Sequence, residues 1–276
     1  MSNKAKEIVI KTKKRLFGAN IGNNVSIFQG NGLDFSEIKE YSIGDDVRKI
    51  NWKVTAKTQK PFINVFNEER ELNIVTLFAI SGNIYFGSIK QKQEVMSEVL
   101  SIIAYSAIKN SDKLTSIFFS NKIEHTFKPT KSIKMLYPIV EKAITINPLG
   151  KEADYKKIED FLLNFLKQKS IIFIIGDFFE SPDLTNLAAK HEVYAIVVRD
   201  KFEEEPKFDD EIILSDPKTL KDYEVFAQKS VVDEFKKEIE KKDKKLYEHF
   251  LKNKIGFCKV YTNEEPFDKL LNLFRT

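Results

Sequence analysis

From Leu72 onward the chain switches repeatedly between two hydrophobic patterns. Leu72 to Ile80 (LNIVTLFAI) is apolar at almost every position, as a strand buried on both faces of a parallel sheet must be. Lys90 to Lys109 then sets Val95, Val99, Ile102, Ile103 and Ile108 near helical spacing. Lys113 to Phe119 reads as a strand, with Lys122 to Phe127 as its hairpin partner across Ser120-Asn121. A helix over Lys131 to Ile144 follows, and Pro148 and Gly150 break the chain. Asp154 to Lys167 is helical, with Ile158, Phe161, Leu162 and Phe165 on one face. Ser170 to Gly176 (SIIFIIG) and Val193 to Val198 (VYAIVV) are buried strands separated by a short helix at Thr185 to Lys190. The rest predicts a short edge strand at Ile212 to Leu214, a long charged helix over Val231 to Asn253, a strand at Phe257 to Tyr261 and a closing helix at Pro266 to Phe274. On that helix the expected ion pairs are Asp233 with Lys237 and Glu238 with Lys242.

Alternating strands and helices predict an α/β fold, a mostly parallel sheet with helices on both faces. Ligands of such sheets bind beyond the carboxyl ends of the strands. The residues after Ile80 and after Ile175 are therefore the first places to seek a site. Residues 1–70 lack this alternation. An amphipathic stretch, Ile8 to Phe17, leads to a Gly/Asn-rich loop at Gly18 to Asn24 and a turn at Gly30-Asn31-Gly32. Leu33 to Arg70 is dense in charge and aromatics with no clean period, the pattern of a segment wrapped over a domain surface. The expected division is an N-terminal segment, 1–70, packed on an α/β domain, 71–276.

Composition narrows the class. With 42% hydrophobic and 31% charged residues the chain has a globular balance, and its 23 Phe imply an aromatic core. Net charge is +4, but basic and acidic residues interleave. Nucleic-acid binders concentrate their Lys and Arg on one face, so no nucleic-acid partner is expected. Cys258 is the single cysteine, which rules out an internal disulfide and suits a reducing compartment. Its strand-like neighbours suggest a buried structural thiol. The first residues lack a signal-peptide core, and no apolar run approaches the roughly 18 residues of a membrane span. The expectation is a soluble cytoplasmic protein.

Catalytic chemistry finds little support. There is no phosphate-binding Gly-x-x-x-x-Gly-Lys-Ser/Thr loop and no Gly-x-Ser-x-Gly elbow. His125, His191 and His249 stand in unrelated contexts. Asp45, Asp46, Glu68 and Glu69 offer clustered carboxylates, and a metal-dependent hydrolase built on them is one alternative. Arg48, Arg70 and the many Lys are nearer at hand as their partners, so the protein is read as no enzyme.

One block is distinctive. Gly32 to Trp52 (GLDFSEIKEYSIGDDVRKINW) continues through Thr55-Ala56-Lys57-Thr58 to Phe66-Asn67-Glu68-Glu69-Arg70-Glu71-Leu72. It resembles the signature of the bacterial domain-of-unknown-function family 58, whose members resemble von Willebrand factor A domains and are commonly encoded beside MoxR-type AAA+ ATPases. The resemblance continues through Ser81, Phe86-Gly87, the strand at Lys113 to Phe119, Asp177-Phe178, His191-Glu192-Val193 and Leu270 to Arg275. It implies a von Willebrand factor A-like, Rossmann-like sheet and a protein-binding adaptor serving a MoxR-type ATPase and a client protein, in remodelling, assembly or stress tolerance. In physical terms Gly44-Asp45-Asp46 is a turn signal. Asp45, Asp46, Arg48 and Trp52 suit either a clasp between the two segments or a partner-binding surface, since exposed Trp and Arg anchor interfaces.

The resemblance also raises a metal question. Domains of this kind often hold Mg²⁺ through an Asp-x-Ser-x-Ser motif after the first strand, with a Thr and an Asp from other loops. Mg²⁺ asks for six oxygens in octahedral array. Here Ala79, Ser81 and Asn83 stand at the motif positions, and Ala153 replaces the Thr. Only Ser81 and Asp177 remain, with Asn83 as a weak oxygen ligand and Asp154 as a substitute if the loop shifts by a residue. The expectation is a degenerate site with no metal, in which Ser81, Asn83 and Asp177 face a partner. The alternative is an Mg²⁺-dependent protein binder using Ser81, Asn83, Asp154 and Asp177.

Overall fold

A computed structural model gives the architecture for residues 2–20, 35–66, 71–206, 211–226 and 229–274. The chain divides into two units, one of residues 1–27 with 73–276 and one of residues 28–72.

The larger unit opens with helix α1 (Asn3–Asn20). Its apolar residues Ala5, Ile8, Val9 and Leu16 are buried, and Thr12 Oγ1 lies 2.9 Å from Ser101 Oγ. The amphipathic stretch expected from Ile8 to Phe17 thus packs on the α/β unit, although the pattern grouped it with residues 1–70. Gly18 to Asn20 continue this helix, and the rest of the expected Gly/Asn loop, like the Gly30 turn and Glu68 to Arg70, lies outside the described residues.

The smaller unit carries β1 (Phe35–Glu40), α2 (Trp52–Thr58) and β2 (Phe62–Phe66), the strands pairing antiparallel. A surface wrap without regular structure was expected here. The strands are short, and β1 carries an irregularity between Phe35 and Glu37, so no alternation survives long enough to read. Asn51 caps α2, its Oδ1 accepting from Val54 N at 3.1 Å.

The sheet of the larger unit begins with β3 (Asn73–Ala79), followed by α3 (Lys92–Lys109), β4 (Lys113–Phe119) and β5 (Ile123–Thr130). Then come α4 (Leu136–Thr145), α5 (Tyr155–Phe165), β6 (Ile171–Gly176), α6 (Thr185–Lys190), β7 (Glu192–Arg199) and α7 (Lys201–Glu204). The chain closes with β8 (Glu211–Asp216), β9 (Lys221–Phe226), α8 (Lys229–Lys252), β10 (Gly256–Tyr261) and α9 (Pro266–Leu273). Six strands run in the order β10-β7-β6-β3-β4-β5, all parallel except β5. One correction concerns Ile212 to Leu214: β8 pairs with β9 in a separate two-stranded hairpin and is no edge of the main sheet.

Period-two alternation sends Val75, Leu77, Ile172, Ile174 and Ala195 to one face, against Leu162 of α5, Leu187 of α6 and Phe250 of α8. Phe78, Phe118 and Phe173 alternate to the other face, which meets α3, while Phe173 packs edge-on against Phe274 after α9. β3 and β6 are neighbours, yet the chain leaves β3 toward α3 on one face and β6 toward α6 on the other. Their carboxyl ends therefore form the topological switch point, where such sheets open a crevice.

Candidate functional site

Two chain exits define this crevice. After β3 come Ser81 and the loop of residues 82–91; after β6 come Asp177, Phe178 and Phe179. Phe178 sits at φ 51°, a left-handed conformation uncommon for a bulky residue. That turn sends Phe178 into the core, stacked on Tyr155 at 5.5 Å and edge-on to Phe250 at 5.7 Å. Phe179 lies instead beneath two cations, 3.7 Å from Arg199 Cζ and 4.8 Å from Lys92 Nζ, within the range of cation–π attraction.

The expected site residues separate. Ser81 and Asp177 do meet, Ser81 Oγ donating to Asp177 Oδ2 at 3.3 Å, but both are buried, at 4% and 5% exposure. Asn83 lies apart on the wall of a groove described below. Asp154 caps its own helix, accepting from Lys157 N at 3.0 Å and pairing with Lys157 Nζ at 3.1 Å. These bonds hold its carboxyl below the usual range. In the smaller unit Asp46 accepts from Arg48 Nε at 3.0 Å, Asp45 accepts from Ser42 N at 2.9 Å and Lys39 Nζ at 3.1 Å, and Trp52 is 71% exposed.

What the pattern missed is the cation at the centre. Lys92, in the first turn of α3, has no exposed surface. Its ammonium lies 2.5 Å from Glu203 Oε1 and 3.6 Å from Asp177 Oδ2. Glu203 is aimed by a capping box: Asp200 N donates to Glu203 Oε2 at 3.2 Å, and Asp200 itself accepts from Ser88 N at 2.8 Å. Burial raises the Glu203 carboxyl above its ordinary value, against the pull of the Lys92 charge. Arg199 extends the cluster, its Nε donating to the Asp177 carbonyl at 2.5 Å and its Nη2 to Asp243 Oδ1 at 3.0 Å. Lys259 reaches the other oxygen of Asp243 at 3.0 Å. The only local marks of the cluster in the sequence are a lysine at a helix start, where the dipole disfavours cations, and an arginine closing the apolar run of β7, and neither shows that the two meet.

Mg²⁺ does not fit this arrangement. Ala79 offers a methyl group, Asp154 is committed to α5, and the charge of Asp177 is met by an ammonium. Among the described residues no three or more His, Cys, Asp or Glu side chains gather as metal ligands.

Above the cluster lies an open groove of about 1150 Å³. The turn between β8 and β9 forms one wall, because Pro217 O accepts from Gly150 N at 2.9 Å and lies 2.1 Å from where a Cβ on Gly82 would fall. Only glycine permits that approach. Tyr85 and Phe86 line the facing loop, Tyr223 the hairpin, and Val231 and Phe235 the start of α8. The charged residues among its described lining are Glu203, Asp216 and Asp222, all acidic.

This is an α/β protein whose switch-point crevice is filled by a buried ion cluster and roofed by an apolar groove. The profile of the family described as "Protein of unknown function DUF58" matches residues 37–245, and the chain belongs to that family. The uncharacterized proteins Rv1480 of Mycobacterium tuberculosis and Mb1516 of Mycobacterium bovis are each 25% identical over 234 residues, 82% of this chain and 70% of theirs. Among solved structures, BatB from Bacteroides thetaiotaomicron superposes with a TM-score of 0.46 at 12% identity, over 74% of this chain and 97% of its own. An aerotolerance-related membrane protein from Bacteroides fragilis gives 0.42 at 13% identity, over 74% and 100%. Among the described residues no helix is long and apolar enough to cross a membrane.

Proposed function

We propose that the chain is a non-catalytic protein-binding adaptor that docks its partner in the groove beyond the carboxyl ends of β3 and β6. The observation carrying this reading is the concentration of accessible aromatic surface there. Tyr85, Tyr223 and Phe235 are each about half exposed around one concave, apolar space, and exposed apolar patches of this kind mark interaction sites. Ser81 and Asp177 support it from beneath as parts of the buried frame. With Glu203 already paired to Lys92, Asp216 and Asp222 on the hairpin wall favour an amphipathic partner segment with apolar residues flanked by Lys or Arg.

The resemblance of Gly32 to Trp52 to the family signature makes a MoxR-type AAA+ ATPase the partner to test first, in the degenerate von Willebrand factor A-like role. The purified chain should associate with a MoxR-type ATPase of its own organism in at least one nucleotide state. Phe235→Asp, a change at an exposed position, should weaken that association at least about tenfold, the scale of an interface hot spot. No association in any nucleotide state, or equal affinity for the variant, would refute the reading.

A further inference from the structure

We propose that the Lys92 ammonium is the built-in cation of this rim: it supplies the positive charge between Asp177 and Glu203, excludes a divalent ion from that place, and its removal opens a divalent-cation site there. The inference is independent of what binds the groove above.

The position of Lys92 is costly in several ways, and each cost is met by the same oxygens. Lysine side chains ordinarily keep the charged head in water, whereas Lys92 is fully buried. It stands in the first turn of α3, where the positive end of the helix dipole disfavours a cation. Its amide is already used, donating to the Phe86 carbonyl at 2.9 Å, so the backbone there is fixed by the preceding loop. The ammonium is held by Glu203 at 2.5 Å and Asp177 at 3.6 Å, with the Phe179 face at 4.8 Å. Asp177 is buried and Glu203 largely so, and a cation beside them offsets the cost of an unpaired buried charge.

Both carboxylates beside the ammonium are also held by other groups. Asp177 is fixed through its own carbonyl by Arg199 and through Oδ2 by Ser81. Glu203 is fixed through Oε2 by the Asp200 amide. Truncating Lys92 would therefore leave Asp177 Oδ2 and Glu203 Oε1 beside a vacated volume, with Ser81 Oγ 3.3 Å from Asp177 Oδ2 and waters free to complete an oxygen shell. Ala79 adds no oxygen, so the opened site rests on two carboxylates and a hydroxyl. That donor set predicts weak affinity, on the order of the millimolar range of low-charge cation sites.

Mn²⁺ is the probe, because its paramagnetic resonance signal reports the free ion directly. Lys92→Ala should take up about one more Mn²⁺ per chain than the native protein, on two carboxylates plus water. Its melting temperature should rise with added Mn²⁺, since binding to the folded state alone stabilises it, and fall back with chelator. The double variant Lys92→Ala/Asp177→Asn should lose both responses. If Lys92→Ala does not fold as isolated, refolding from denaturant with Mn²⁺ or with chelator decides: recovery in Mn²⁺ alone supports the proposal, and recovery in neither overturns it. A folded Lys92→Ala indifferent to Mn²⁺, or a native protein that binds Mn²⁺ in a manner abolished by Asp177→Asn, would also overturn it.

Discussion

At the residue scale, the switch point is built from close approaches that tolerate little change. A Cβ on Gly176 would fall 2.7 Å from Tyr155 Oη and 3.1 Å from Ala79 Cβ. Gly176→Ala should therefore destabilise the protein by about 1–3 kcal/mol, the usual cost of overpacking. Tyr155→Phe in the same chain removes the nearer atom and should recover part of the loss. Urea melts of the two single variants and the double check this; additive losses would show that the two sites do not meet. Lys92 carries the opposite lesson, a residue whose type looks wrong for its place until Asp177 and Glu203 are seen beside it.

Elements transmit these constraints. α8 reads in the sequence as a charged, solvated helix, and most of its length is so: Glu238 pairs with Lys241 at 3.9 Å across its outer face, one residue short of the expected Lys242. Yet its C-terminal half contributes Leu246 and Phe250 to the core, and Phe250 packs on Phe178 at 5.7 Å and on Phe257 at 5.4 Å. The helix thus holds down the turn that aims Phe179 and Asp177. Phe250→Ala should cost about 3–5 kcal/mol by lost burial and cavity formation, measured as a shift of the denaturation midpoint. A loss below about 1 kcal/mol, the scale of a surface change, would contradict the packing described. β8 and β9 behave differently. The hairpin meets the sheet end at Pro217, so its placement depends on Gly82, where no Cβ fits, and on the Gly150 amide that donates to the Pro217 carbonyl.

For the whole molecule, proton binding links folding to pH. His191 Nδ1 accepts from Ser170 N at 3.3 Å, tying the start of β6 to the start of β7, and needs the neutral ring to do so. Burial, with Lys190 nearby, lowers its pKa below the ordinary 6.5. The unfolded chain then binds this proton more readily than the folded one. Its contribution is present above about pH 6.5 and is lost as pH falls below that value. Denaturation midpoints followed from about pH 7.5 to about pH 5 should decline, and less steeply in His191→Asn; parallel curves for the two proteins would refute the assignment. Cys258 is the alkaline counterpart, its thiol pushed up to about 12 by burial, although in β10 it is partly exposed where its strand-like neighbours suggested a buried structural thiol.

The linear pattern was sufficient for the sheet, because a strand buried on both faces must be apolar at nearly every position, as Ile74 to Ile80 and Ile171 to Ile175 are, and helices between such strands must show one apolar face. It also located the two carboxyl ends and the pair Ser81 and Asp177, since motif residues there are adjacent in sequence to the strands. Lys92, Glu203, Arg199 and Asp243 were beyond its reach. Lys92 and Glu203 are separated by 111 positions, and nothing in local spacing records that two opposite charges share one dry pocket. Folding alone decided that the place beside Asp177 belongs to an ammonium on α3, and that a strand read as a sheet edge became, paired with β9, the wall of a groove.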